Sequence, residues 1–257
     1  MERRSLTVET VRAVGAYTVI AVNDPGGPEP APGQFYMLAC ADRWGGGADE
    51  RPFLPRAVSV MAAADGRLEF MLDAVGPGTT ELCEMGPGDR LLVLGPFGRG
   101  FRPVEGSRPL ICAGGIGVAP MVELQRALGP EATVLLGFRD SAHAVAAELF
   151  PGAVVATDDG SAGHAGNAVE LLAGELRGVE NAVVYSCGPP AMLAAVRTLA
   201  LETGTRAQLA LESGMACGFG ACFGCVVPSG DGYRRLCVDG PVLDADELAS
   251  GWEAAYG

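Results

Sequence analysis

Cys217-Gly-Phe-Gly-Ala-Cys222-Phe-Gly-Cys225, closed after eleven intervening residues by Cys237, is the stretch on which the rest of the chain depends. Four of the 8 cysteines fall in this window, spaced C-x4-C-x2-C-x11-C. Small residues separate the first three, so the backbone can wrap a compact object and leave room for inorganic sulfide. A C-x4-C-x2-C run with a distant fourth cysteine is the plant-type spacing for a [2Fe–2S] cluster. A structural zinc site also accepts four thiolates, although it more often shows two C-x2-C pairs, and a disulfide framework is a third use of such spacing. The spacing favours iron–sulfur. Under that reading the remaining residues are machinery for moving electrons to or from the loop.

The chain has 257 residues, enough for two domains and a small appendage. Its 49% hydrophobic and 19% charged content indicates a well-buried globular protein, with 38 glycines and 18 prolines clustered at turn-like positions. A net charge of −13 and a pI of about 4.6 disfavour nucleic acid or an anionic membrane as partner. The first residues lack the apolar core of a secretory signal, and no apolar run approaches the roughly 20 residues that span a bilayer. A cytoplasmic location is the expectation. Reduced thiols belong there, so Cys40, Cys83, Cys112 and Cys187 are expected to be buried or cofactor-adjacent rather than bridged. The two histidines, His143 and His164, are expected in surface loops, which leaves little for His-based acid–base chemistry.

Residues 5 to about 100 read as short β-branched strands broken by turn signals, with one short helix at Gly78-Thr-Thr-Glu-Leu-Cys-Glu-Met. Strands at this spacing predict an antiparallel barrel or sandwich. At Arg108 the rhythm changes. Strands at 109–113, 133–138, 153–157, 181–186 and 208–212 alternate with helices near 120–128, 144–150, 168–177 and 190–202. That alternation predicts a parallel sheet with helices on both faces, its last strand being 208–212. The expected class is therefore a multidomain α+β chain: a β-barrel (1–103), an α/β nucleotide domain (104–210) and a small C-terminal cluster subdomain (211–257).

Gly114-Gly115-Ile116-Gly117-Val118-Ala119-Pro120 links a strand to a helix, where Gly115 and Gly117 let backbone approach a phosphate and the helix start favours an anion. It departs from G-x-G-x-x-G, because Ala119-Pro120 stands where a third glycine is expected; a tight turn with no ligand is the alternative. Ser186-Cys187-Gly188-Pro189-Pro190 repeats the logic after a later strand, so both turns are expected to face one cleft. Asp158 and Asp159 could take ribose hydroxyls or simply form a turn. In the first domain Arg56 and Ser59 place a cation and a hydroxyl at a strand start, suited to pyrophosphate, and Gly78-Thr79 can offer amides and a hydroxyl to the same groups.

Together, the Arg56-x-x-Ser59 strand, the Gly78-Thr79 helix start, Gly114-Gly-Ile-Gly-Val-Ala-Pro120, Cys187-Gly-Pro189 and the terminal four-cysteine loop resemble the ferredoxin reductase superfamily. Within it the chain resembles the electron-transfer subunits of NAD-dependent (class 1B) dihydroorotate dehydrogenase, over nearly its whole length. The sharpest stretch is Leu211-Glu-Ser-Gly-Met-Ala-Cys217 through Cys225, with Arg235-Leu-Cys237-Val-Asp-Gly-Pro-Val following. The resemblance implies FAD held by Arg56, Ala57, Val58 and Ser59, lined by Met71, Leu72 and Asp73, with Gly78 and Thr79 on phosphate. It implies NAD(H) over Gly115, Gly117, Cys187, Gly188 and Pro189, and a [2Fe–2S] cluster on Cys217, Cys222, Cys225 and Cys237. It further implies an FMN-containing dehydrogenase as partner, two of each subunit together, with electrons passing from dihydroorotate through cluster and FAD to NAD. A reductase serving an oxygenase or another biosynthetic dehydrogenase is the second reading, and a zinc-bearing structural protein the third. NAD is favoured over NADP, because Asp140 would repel the 2′-phosphate that Arg139 could accept. Phe219, Phe223 and Gly214 mark where a redox partner is expected to dock.

Overall fold

Six strands of the first hundred residues curl until the first meets the last. A computed structural model describes residues 2–45 and 52–253. In it β1 (Arg4–Val14), β2 (Tyr17–Asn23), β3 (Phe35–Cys40), β4 (Arg56–Ala64), β5 (Arg67–Leu72) and β6 (Arg90–Phe97) form a closed barrel in the order β1-β2-β5-β4-β3-β6. All neighbours run antiparallel. Closure settles barrel against sandwich, and it leaves no strand edge to protect. Ile20, Tyr36, Val60, Phe70, Leu91 and Val93 fill the interior. Between β5 and β6 lies α1 (Pro77–Cys83), which begins on a proline that needs no N–H partner.

The second region alternates as its hydrophobic runs require. β7 (Arg108–Gly114) passes through a 3-10 turn (Gly115–Val118) into α2 (Ala119–Leu128), followed by β8 (Thr133–Phe138), α3 (Ser141–Ala144), β9 (Val154–Thr157), β10 (His164–Ala165), α4 (Ala168–Glu175), β11 (Ala182–Cys187), α5 (Pro190–Thr203) and β12 (Arg206–Ala210). Strands β7 to β12 pair in parallel in the order β10-β9-β8-β7-β11-β12. Period-two alternation splits β7 and β11 between two cores. Leu110, Cys112 and Val184 join Leu172, Leu193 and Val196 on one face. Ile111, Ala113, Val183 and Tyr185 join Met121, Val122 and Leu124 on the other.

Two details differ from the sequence expectation. The helix expected at 144–150 starts earlier and is short, because the Asp140 side chain caps it at the His143 N–H (3.0 Å) and a 3-10 turn (Val145–Leu149) completes it. β12 is also not the last strand. After the hairpin β13 (Val226–Ser229) and β14 (Gly232–Arg235), β15 (Val242–Asp244) returns and pairs antiparallel with β12. Three residues after a proline carry too little pattern to announce a strand. Barrel and sheet are fastened by Gln208, whose amide both accepts from and donates to the Arg102 backbone at 2.8 Å, and by Glu123 of α2, which accepts from Ala63 N at 3.2 Å. Among the described residues no helix is long and apolar enough to cross a membrane.

Candidate cofactor sites and the cysteine loop

The chain moves from β7 outward through β8 and β9, then returns to β11 and goes the other way, so the strand order reverses between β7 and β11. Ligands of open α/β sheets sit in the crevice at such a reversal, beyond the carboxyl ends of the strands. Here that place is a cleft of about 760 Å³, lined by Gly114, Gly115 and Ile116 from the first turn and by Pro189 and Met192 from the second. The two turns therefore do face one cleft. Gly117 makes the juncture possible: a Cβ there would lie 2.6 Å from the Gly188 Cα and N atoms. Cys187 is not itself in the cleft lining. Its thiol is fully buried below, and burial, with Glu212 nearby, raises its pKa well above the ordinary thiol range.

The far wall of the cleft holds Phe138, Arg139, His143 and Asp158 from the sheet side and Tyr17 and Asp73 from the barrel. Asp158 faces the ligand space. Asp159 instead closes its own turn on Ser161, accepting from its N–H at 2.9 Å and its hydroxyl at 2.6 Å. His143 corrects the surface-loop expectation: it is 6% exposed, edge-on to the Tyr17 ring, with Nδ1 2.7 Å from Asp140 Oδ1. His164 is exposed, as expected, but lies in strand β10 rather than in a loop. The Tyr17 hydroxyl is buried and has no hydrogen-bond partner among the described residues. A smaller cavity of about 340 Å³ adjoins, between Gly117, Gly188, Pro190, Glu212 and Ser213. There too a buried hydroxyl, Ser213 Oγ, lacks a partner. Glu212 is an exposed residue, yet crowding of its carboxyl by surrounding protein raises its pKa. Orphaned polar atoms at both cavities are what a polar ligand would satisfy.

On the barrel, Arg56 opens β4 and lies with its guanidinium 5.5 Å from the Trp44 ring centroid, donating to the Leu54 carbonyl at 2.5 Å. Gly78 permits this position, since a Cβ would stand 2.3 Å from Arg56 Nε. A guanidinium at a helix start is a fit for pyrophosphate. Thr79 contributes differently from the sequence expectation. Its hydroxyl accepts from the N–H groups of Val75 and Gly76 and donates to the Gly76 carbonyl, all at 3.1 Å, so it builds the turn. Ala57 is exposed, Ser59 half-buried and Val58 buried. Met71 and Leu72 are 1% and 2% exposed and serve two different cores, which leaves Asp73 as the side chain of that trio reaching the cleft.

The hairpin β13–β14 explains how cysteines twelve positions apart meet. Val226 pairs with Arg235, Leu236 N–H donates to the Cys225 carbonyl at 3.0 Å, and the Cys225 and Cys237 sulfurs come to 3.2 Å. Both are buried, whereas Cys222 is exposed. Cys217 and Cys222 form the other pair. Partial burial opposes ionisation of Cys217, but the N–H groups of Cys222, Phe219 and Ala221 and the Cys222 side chain outweigh it, lowering the thiol to about 6. Cys237 is pushed up to about 12, first by burial and then by Cys225. Gly218 and Gly220 take φ of 78° and 89°, and a Cβ on either would strike Met37 or Val238. Among the described residues no three His, Cys, Asp or Glu side chains are gathered as a site for one metal ion. Thiols paired in this way suit two irons with two thiolates each.

A barrel joined to a doubly wound nucleotide sheet and ended by a cysteine loop is the ferredoxin reductase-like architecture. Among solved structures, a NADH-dependent reduced ferredoxin–NADP oxidoreductase has TM-score 0.84 at 22% identity, covering 97% of this chain and 91% of that one. A ferredoxin NADP+ reductase from Neisseria gonorrhoeae with bound FAD and NADP has TM-score 0.64 at 18% identity, covering 79% and 92%. These likenesses speak to fold. The family model for the iron–sulfur cluster binding domain of dihydroorotate dehydrogenase B matches residues 212–249. The dihydroorotate dehydrogenase B (NAD(+)) electron transfer subunit of Caldanaerobacter subterraneus subsp. tengcongensis is 36% identical over 233 residues, 86% of this chain and 88% of its own. That of Bacillus caldolyticus is 40% identical over 233 residues, 84% and 86%. The chain belongs to the family of dihydroorotate dehydrogenase B electron-transfer subunits.

Spacing alone pointed to the cysteines and the glycine turns. Tyr17, His143, Glu212 and Ser213 carried no such signal; Glu212-Ser213, lying just past a strand beside the cluster motif, is the pair a topology argument could have flagged.

Proposed function

We propose that this chain is the electron-transfer half of a cytoplasmic NAD-dependent dihydroorotate dehydrogenase. It would pair with an FMN-containing subunit that oxidises dihydroorotate to orotate, two copies of each together. When bound, FAD exchanges a hydride with NAD and single electrons with a [2Fe–2S] cluster, which makes it the necessary link between the two. The chain's own residues bind and orient. Arg56 would neutralise pyrophosphate, with Ala57, Val58 and Ser59 alongside, Asp73 at the edge and Gly78 and Thr79 shaping the helix start, while Met71 and Leu72 support the strand from the two cores beneath it. Gly115, Gly117, Cys187, Gly188 and Pro189 form the nucleotide turn pair, with Glu212 and Ser213 offering polar contacts at its inner end. Cys217, Cys222, Cys225 and Cys237 hold the cluster. Phe219 and Phe223, 54% and 61% exposed beside Cys222, form the surface on which the partner would dock.

The observation that carries this reading is the two-pair arrangement of the cysteine sulfurs on a loop anchored to the nucleotide sheet. Combining the purified chain with its FMN partner is expected to couple dihydroorotate oxidation to NAD reduction. A correctly loaded pair that oxidises dihydroorotate with artificial acceptors but never reduces NAD would end the proposal.

Two outcomes follow from the site geometry. The cleft lining carries Arg139 as its cation against Asp73, Asp158 and Glu170, and Arg139 is already held by Asp140 at 3.2 Å. A 2′-phosphate adds about −1.5 to −2 charges, so kcat/KM is expected to favour NADH over NADPH by at least about tenfold. Equal values in steady-state assays would contradict this. In Gly78→Ala the clash falls on the flexible end of Arg56 rather than on backbone. The fold should survive while FAD affinity drops about tenfold to hundredfold, the worth of a charged hydrogen bond. Flavin fluorescence titration with a thermal melt reads both.

A further inference from the structure

The loop that carries Cys217, Cys222 and Cys225 rests on one cation. Alternation along β14 sends neighbouring arginines to opposite faces. Arg234 turns to Asp231, at 3.0 Å, and Glu247, at 3.9 Å. Arg235 turns under the loop: Nη1 donates to the Gly220 carbonyl at 3.2 Å, and its guanidinium lies 5.1 Å from the centroid of the Phe223 ring. The fit is tight on both sides. Gly220 holds a φ of 89° and a Cβ there would lie 2.7 Å from Val238 and 3.3 Å from Arg235 Nη1, and Phe223 holds a φ of 57°, which a non-glycine residue adopts only when its surroundings enforce it. Arg235 is itself fixed from behind, its N–H donating to Asp239 at 2.9 Å and its Nε 3.8 Å from the same carboxylate. A guanidinium stays charged at every working pH.

From this arrangement we propose that Arg235 is a positioning residue that sets the reduction potential of the cluster. Its charge favours the more negative, reduced state, and Asp239 moderates it. This rests on the [2Fe–2S] reading above. Four thiolates and two sulfides make a site that gains negative charge on taking one electron, so a fixed cation against the loop raises the potential; nearby charge is among the levers known to set such potentials. In turnover the electron comes from the partner dehydrogenase and in the titration from the added reductant, and no bond is made or broken at Arg235.

The test is an EPR-monitored redox titration of the holoprotein at matched iron and sulfide content. In Arg235→Gln the reduction equilibrium is expected to shift about tenfold against reduction, which is 59 mV for one electron. Arg235→Lys, which keeps charge but loses the planar fork, is expected to stay near the wild-type value. If Lys and Gln shift the potential equally, or Gln does not shift it, the inference is overturned. Should Arg235→Gln fail to retain a cluster, Asp239→Asn decides: it must make reduction easier, and an unchanged or lower potential overturns the proposal. A wild-type chain that binds no iron and sulfide would instead refute the cluster reading itself, a separate outcome visible before any variant is made.

Discussion

Cys222→Ser is expected to lose iron and acid-labile sulfide while keeping its flavin and its fold. Cys222 is the exposed member of the four, anchored by the Gly224 N–H at 3.5 Å rather than by the core. Its removal therefore breaks the ligand set without unpacking the hairpin that joins Cys225 to Cys237. NADH should still bleach the flavin, because the nucleotide cleft and the Arg56 region lie on other elements. Transfer onward to a one-electron acceptor should fall to background. Iron and sulfide assay, flavin absorbance and stopped-flow reduction by NADH together read the outcome. Loss of flavin reduction in a folded, FAD-loaded variant would show that the order of carriers is wrong.

The second large effect belongs to Gly117→Val. The first side-chain carbon would fall 2.6 to 2.7 Å from the backbone of Gly188 and Cys187, and neither can swing aside as a flexible side chain would. The β7 and β11 turns must separate. Overpacking of this kind costs about 1–3 kcal/mol in stability. A displacement near 1 Å in a positioning element costs about 10²-fold in rate, so kcat/KM for NADH is expected to fall by that factor while FAD content and dithionite reduction of the flavin remain. Wild-type rates with NADH would mean that the two turns do not jointly hold the nucleotide.

How much of this was legible before folding depends on the range of the interaction. The glycine turn and the cysteine spacing are local devices: backbone approach and ligand reach are decided within a few residues, so Gly115, Gly117 and the four cysteines could be named from the chain alone. The parallel sheet was legible because its strands are buried on both faces and read as apolar runs. Strand spacing alone left barrel and sandwich open, since closure depends on β1 meeting β6, eighty-odd residues apart, and the expected barrel is the closed one found. The roles of Met71 and Leu72 were read as ligand-lining, whereas strand geometry sends one into each of two cores. His143 was read as a loop residue because nothing local says that Tyr17, from another domain, will pack against it. β15 carries only three residues, and its pairing with β12 is decided by the hairpin that precedes it. Glu212 and Ser213 gain their place from the same return of the chain.

The central claim is that flavin and a two-iron cluster sit on this one chain in series, with the cysteine loop as the port to the partner. Anaerobic titration of the purified chain with NADH, followed by absorbance and low-temperature EPR, tests it most directly. One FAD and one two-iron cluster per chain, flavin bleaching on NADH addition and the signal of a reduced [2Fe–2S] cluster are the expected result. A colourless chain carrying zinc, or a flavin that NADH reduces while a fully loaded cluster of higher potential stays oxidised, would contradict it.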